Sequence, residues 1–188
     1  MENNKTALLV MDMQMGILPR LPQQGAEIVK NIAGAINAAR EKDILIIFVR
    51  VGFRKGLPEI SAENKTFSAL RNNLNDANLD TFMQIHPRLG MVEDDIIVNK
   101  KRVSAFSGSD LEMILRAKNI SHLVLTGIAT SGVVLSTLRE AFDKDYQLTV
   151  LSDGCVDPDE EVHQFLIQKL FPKQAEVMSI DDWKKNIL

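Results

Sequence analysis

Residues 123–146 read LVLTGIATSGVVLSTLREAFDKDY. The run LVLT is apolar without polar alternation and stops at Gly127; small residues follow, and Ser131–Asp143 takes up helical spacing. A short unbroken apolar run bounded by glycine belongs to a strand buried on both faces. A strand that passes through a glycine turn into a helix is one unit of an α/β fold. Working outward, the same grammar recurs. Thr6–Met11 (TALLVM) ends at Asp12, and Ile44–Val49 (ILIIFV) ends at Arg50. Asp95–Val98, Gln147–Leu151 and Ala175–Met178 are further strand candidates, and the present strand is His122–Leu125. Between them, Gly25–Lys42 places Ile28, Ile32, Ala33, Ile36 and Ala39 at helical spacing. Ser109 or Asp110 can cap a helix reaching Lys118, with Leu111, Ile114 and Leu115 on one face. Asp159–Leu170 and Ile180–Asn186 read as helices, and a short one is expected near Lys65–Leu74 within the polar stretch Gly52–Asn78. The pattern predicts an α/β, three-layer open sheet of six mostly parallel strands with helices on both faces.

The chain has 188 residues, which fits a single domain over 1–188. Hydrophobic residues make up 45% and charged residues 25%, so the bulk of the chain can build a core and disorder is excluded. No apolar run approaches the ~18 residues of a membrane-spanning helix, so no membrane partner is expected. The start, MENNKTALLVMDMQ, lacks a basic segment followed by a long apolar one, so no signal peptide is expected. A single cysteine, Cys155, can form neither an internal disulfide nor a Cys-rich zinc site, and a cytoplasmic location is the expectation. The net charge is −3 and the only basic run is Lys100-Lys101-Arg102 without interleaved aromatics, which argues against a nucleic-acid partner. Neither GxGxxG nor GxxxxGK[ST] occurs, so no nucleotide cofactor is expected.

In open α/β sheets ligands bind beyond the carboxyl ends of the strands. The residues there are Asp12 and Gln14, Arg50, Asn99–Arg102, Thr126–Val133 and Asp153–Asp157. Alone, Asp12 reads as a carboxylate accepting loop amides, and Lys100 as part of a solvated basic run. Together they can meet across the crevice, where the lysine would lower the carboxyl pKa and burial would raise it. The turn Thr126–Val134 offers backbone N–H groups at a helix start to an anion or a developing oxyanion; the plainer reading is a capped strand-to-helix turn. Cys155 lies beside Asp153 and Asp157, whose charges disfavour a thiolate, and reads as a small residue packed in a turn. His86, His122 and His163 have no zinc-ligand spacing. Gly16-Ile17-Leu18, Phe53, Phe82 and Phe106 read first as packing groups.

Four segments in order resemble the isochorismatase-like hydrolases, the superfamily that includes nicotinamidases and N-carbamoylsarcosine amidase. They are ALLVMDMQ, NKKRVSAFSGSDLEMIL, LVLTGIATSGVVLSTLREAFDKDY and LTVLSDGCVDPDEEVH, and the likeness runs from about residue 6 to about residue 180. The resemblance makes Asp12 and Lys100 the active-site aspartate and lysine. It also places the amidases' nucleophilic cysteine at Val133, which has no nucleophilic atom, so this is a member lacking that cysteine. The implied site is Asp12 exchanging a proton, Lys100 holding an anionic substrate group or tuning Asp12, and the backbone N–H groups of Ala129 and Val133 polarising a carbonyl. A non-proline cis peptide at Ile128–Ala129 is implied too. Nicotinamidases bind a metal through Asp-x-His after the second strand; FVRVGFRKGLPEIS here has no such pair, so no metal is expected. The resemblance implies a homo-oligomer, dimer or tetramer, acting on a small molecule without a thioester. The alternative is a small-molecule binding protein that keeps the pocket and has lost the chemistry.

Overall fold

The computed structural model describes residues 5–21 and 24–187, with the backbone alone at residue 20. The first four residues of the segment read for a signal peptide lie outside these. The described strands are β1 (Thr6–Met11), β2 (Leu45–Val51), β3 (Ile96–Lys100), β4 (His122–Ile128), β5 (Gln147–Val156) and β6 (Glu176–Met178). The helices are α1 (Gly25–Glu41), α2 (Lys65–Arg71), α3 (Leu79–Met83), α4 (Leu111–Ala117), α5 (Leu135–Asp143), α6 (Glu160–Phe165) and α7 (Ile180–Asn186).

The six strands form one sheet in the order β3-β2-β1-β4-β5-β6, and every pairing is parallel. "Mostly parallel" therefore becomes wholly parallel. All six residues of β1 are buried, as a central strand covered on both faces requires. Strand alternation sorts them. Ala7, Leu9 and Met11 join a core with Leu111 and Leu115 of α4 and Leu138 and Ala141 of α5. Leu8 and Val10 join a second core with Ile32 and Ile36 of α1 and Ile180 and Trp183 of α7. A third cluster, including Val51, Phe53, Phe67, Leu79 and Phe82, packs the excursion between β2 and β3.

Several elements extend beyond their expected ends. β2 runs to Val51, β3 to Lys100, β4 to Ile128 and β5 to Val156, in each case past the apolar run and into polar or glycine residues. Propensity alone stops a strand at such residues, but parallel neighbours keep supplying ladder partners: Val51 pairs with Lys100, and Ile128 with Val156. The helix expected from Ser131 begins as a wide π-type turn over Thr130–Val134 before α5 proper. Asp159–Leu170 divides into α6 and a similar wide turn over Leu166–Leu170. Asp110 makes no side-chain cap for α4; Ser109 Oγ accepts from Leu111 N at 3.2 Å instead. Helix α3 was not expected.

Gly127 shows why a glycine ends the run that decides the fold. It holds φ +140°, and a Cβ there would stand 2.2 Å from the Met11 carbonyl oxygen. Only glycine lets β4 pass β1 this closely.

Candidate active site

The order β3-β2-β1-β4-β5-β6 reverses direction between β1 and β4, and ligand crevices form at such a switch point. Asp12 follows β1 and the Ala129–Val133 turn follows β4, so both flank it. Asp12 has a left-handed backbone, φ 58°, a conformation that aspartate adopts more readily than most residues. Its N–H donates to Val49 O at 2.8 Å, which fixes it to the end of β2.

Lys100 is the last residue of β3, two strands from β1. Strands two places apart lie about 9–10 Å apart, a gap that a lysine stem and an aspartate can bridge together. Lys100 Nζ reaches Asp12 Oδ2 at 2.9 Å, with the lysine side chain 1% exposed and the aspartate 8%. The same ammonium donates to Arg102 O at 2.9 Å and to Val103 O at 3.0 Å. An ammonium has three donors, and all three have acceptors. Asp12 Oδ1 is buried and has no hydrogen-bond partner among the described residues. Burial raises the Asp12 carboxyl from its ordinary 3.8 to about 6; the charge of Lys100 and its hydrogen bond pull the other way and only limit the rise. Of the two opposing effects the sequence leaves open, burial is the larger.

Asp12, Lys100, Ala129 and Val133 all line one cavity of about 450 Å³, within the usual range for small-molecule sites. The Ile128–Ala129 peptide is cis. In the wide turn that follows, Gly132 departs from helical geometry (φ −96°, ψ −106°). Asp157 Oδ2 accepts from Ser131 N at 2.7 Å, and Thr130 Oγ1 bonds His163 Nδ1 at 2.8 Å, so the turn is tied to the end of β5 and to α6. Val133 is buried in this turn with its side chain in the core.

Three other strand-end residues, Gln14, Arg50 and Cys155, do not line this cavity. Gln14 is wholly buried; it donates to Val51 O (3.0 Å) and Phe82 O (3.1 Å) and accepts from Val51 N (2.7 Å). It thereby clamps two residues of the cavity wall, Val51 and Phe82, to the end of β1. Arg50 donates to Asn99 Oδ1 (2.7 Å) and Met83 O (3.1 Å) and does not line the cavity. Cys155 lies outside this cavity, with its thiol 3.8 Å from Leu125 O and pushed up to about 12. Burial, more than the acidic neighbours read from the sequence, is the main cause, and the charge of Asp153 adds a smaller part.

Of the groups read first as packing, Ile17 and Phe82 line the cavity, whereas Phe53 and Phe106 stay in the cores. The far wall comes from Thr66, Phe67, Leu70 and Asn73, on and just after α2. Sequence reasoning missed these four. The spacing of Phe67 and Leu70 on one helical face was the only signal, and nothing local says that this face folds back over the strand ends.

A family model described as the Isochorismatase domain matches residues 6–182. The chain is 30% identical over 183 residues to the isochorismatase family protein YwoC of Bacillus subtilis, covering 97% of this chain and 94% of that protein. It is 32% identical over 181 residues to the ureidoacrylate amidohydrolase RutB of Stutzerimonas stutzeri, covering 82% of this chain and 71% of that one. Among solved structures, an isochorismatase family protein of Burkholderia thailandensis superimposes with a TM-score of 0.86 at 31% identity, covering 98% and 96% of the two chains. A cysteine hydrolase of Pseudomonas syringae pv. phaseolicola reaches a TM-score of 0.89 at 22% identity over 100% and 94%, a likeness of fold. With a domain match over nearly all its length and Asp12 and Lys100 joined at the switch point, the chain belongs to the isochorismatase family of hydrolases.

Proposed function

We propose that the protein hydrolyses a small molecule by acid–base and electrostatic catalysis at Asp12, without a covalent enzyme intermediate. The observation that carries this reading is Asp12 itself: one oxygen held by Lys100, the other unpartnered, and a carboxyl pKa near 6. A general base works best with a pKa close to the operating pH. In the proposed reaction Asp12 Oδ1 takes a proton from water as the water oxygen bonds to an electrophilic carbonyl carbon. The carbonyl electrons move to oxygen, and the Ala129 and Val133 N–H groups hold that charge. Asp12 then returns the proton to the leaving oxygen as the carbon–oxygen bond breaks. Lys100 acts by keeping Asp12 placed and ionisable, since its own three donors are already engaged. No step uses a thiol: Val133 stands in the turn and Cys155 lies outside the cavity. General acid–base help is worth roughly 10²–10⁴-fold and oxyanion donors a further ~10²–10³-fold, enough for an activated carbonyl such as an ester. An unactivated amide generally needs a nucleophile or a metal in addition.

A binding protein without chemistry is the second reading, and Val133 in place of a nucleophile favours it. A hydrolase screen in H₂¹⁸O with esters, enol ethers and amides, followed by intact-protein mass spectrometry during turnover, separates the two. The proposal expects labelled product and no covalent adduct. An acyl-enzyme mass would overturn the mechanism, and binding without turnover on any class would leave the second reading.

A further inference from the structure

We infer that the cavity is built for an uncharged, largely apolar substrate and turns away carboxylates, a deepening that rests on the proposed hydrolase reading. The argument starts from the charges available. Among the described residues, the only ionisable side chains lining the cavity are Asp12 and Lys100. They neutralise each other at 2.9 Å, and the remaining Lys100 donors end on the Arg102 and Val103 carbonyls. Lys100 therefore has no N–H left for a substrate anion, which removes one of the two roles the sequence allows it. The neighbouring cation, Arg102, stacks its guanidinium 5.6 Å from the centre of the Phe67 ring and donates to Lys101 O and Glu59 O; it does not line the cavity.

A carboxylate entering this space would give up its water, find no free cation among these groups, and add a second negative charge beside Asp12. Burying an unpaired charge is among the costliest events in a protein interior. An uncharged ligand meets the opposite situation. The walls are dominated by Ile17, Phe67, Leu70, Phe82 and Ile128, whose apolar surface rewards an alkyl or aryl group. The polar groups at the Asp12 end suit a single carbonyl. The same asymmetry serves turnover, because an ester enters neutral and its acid product leaves charged.

Matched pairs differing only in charge test the inference: 4-phenylbutyramide against 4-phenylbutyrate and hexanamide against hexanoate, bound to the whole protein at pH 8 by calorimetry or ligand-observed NMR. The amides are expected to bind at least tenfold more tightly than their carboxylates. Asn73→Arg, an exposed position on the cavity wall, adds a cation there and should strengthen carboxylate binding at least fivefold. Carboxylates that bind as well as the amides, or amides that show no measurable binding, would overturn the inference. Hydrolysis of ethyl 4-phenylbutyrate is scored separately. Amide-selective binding without hydrolysis would support the ligand class and count against the hydrolase reading alone; hydrolysis with equal binding of the two charges would do the reverse.

Discussion

Lys100 Nζ stands 2.9 Å from Asp12 Oδ2, and the remaining hydrogen bonds of this ammonium go to backbone carbonyls. The lysine is thus a fixed counter-charge for one carboxylate, and removing it has a defined consequence. In Lys100→Met the stem is kept and the charge is lost, so Asp12 is left buried without its partner. At pH 8 the orphaned carboxyl must either ionise without a partner or hold a proton against the solution pH, and we expect a loss of about 3–5 kcal/mol of stability, the usual cost of orphaning a buried charge. At pH 5 the carboxyl can take a proton instead, and the loss should be clearly smaller. Urea denaturation at the two pH values measures both; equal losses would contradict this role.

In the proposed reaction the Asp12 carboxyl sets the acid limb of activity. Its pKa is raised to about 6, so the basic form is depleted as the pH falls through that value, and kcat/KM should fall with it. The stability sign is the reverse. The folded chain holds this proton more tightly than the unfolded chain, whose carboxyl titrates near 3.8. Asp12 therefore favours folding most below about pH 4, and that contribution is lost as the pH rises through about 6. A rate profile that falls on the alkaline side of 6 would mean that Asp12 acts first as an acid.

Cys155 is expected to be dispensable. Its thiol is buried and pushed up to about 12, so almost none is thiolate at pH 8. Cys155→Ser should keep kcat/KM within a few-fold, and iodoacetamide should leave both the thiol and the rate untouched in the folded protein. Loss of activity with the fold intact would move the chemistry to this residue.

His122 should make the fold acid-sensitive. Its ring lies between the hydroxyls of Thr6 (3.4 Å) and Thr149 (2.9 Å), and burial holds its pKa below the ordinary 6.5. A depressed folded pKa means stability that is present above about 6.5 and lost as the pH falls below it. His122→Gln retains a hydrogen-bonding side chain and cannot titrate, so its urea midpoint should fall less than that of the wild type between pH 7.5 and pH 5. Parallel declines would contradict the assignment.

Much of this was legible in the sequence, for physical reasons that differ by element. The strands around Leu8, Phe48 and Leu125 could be read because a doubly covered parallel strand has no polar face to interrupt it. Asp12 and Lys100 could be paired because each ends a strand, and a parallel sheet collects its strand ends on one edge. What could not be read depends on tertiary fit. The engagement of all three Lys100 donors depends on carbonyls two and three residues further on, in a loop whose path has no local code. The wall contributed by Phe67 and Asn73 lies in a stretch that is polar by composition and becomes a wall only when α2 folds over the strand ends. The balance of burial against charge at Asp12 likewise depends on how completely its surroundings exclude water.

The most direct test of the central claim is kcat/KM for Asp12→Asn on the uncharged ester that the wild type hydrolyses fastest, with circular dichroism confirming the fold. Asparagine keeps the size of the side chain, and its amide can still hydrogen-bond, but it cannot accept and return a proton. The account predicts a fall of at least a hundredfold, consistent with the loss of a general acid–base. A rate within a few-fold of the wild type would contradict it.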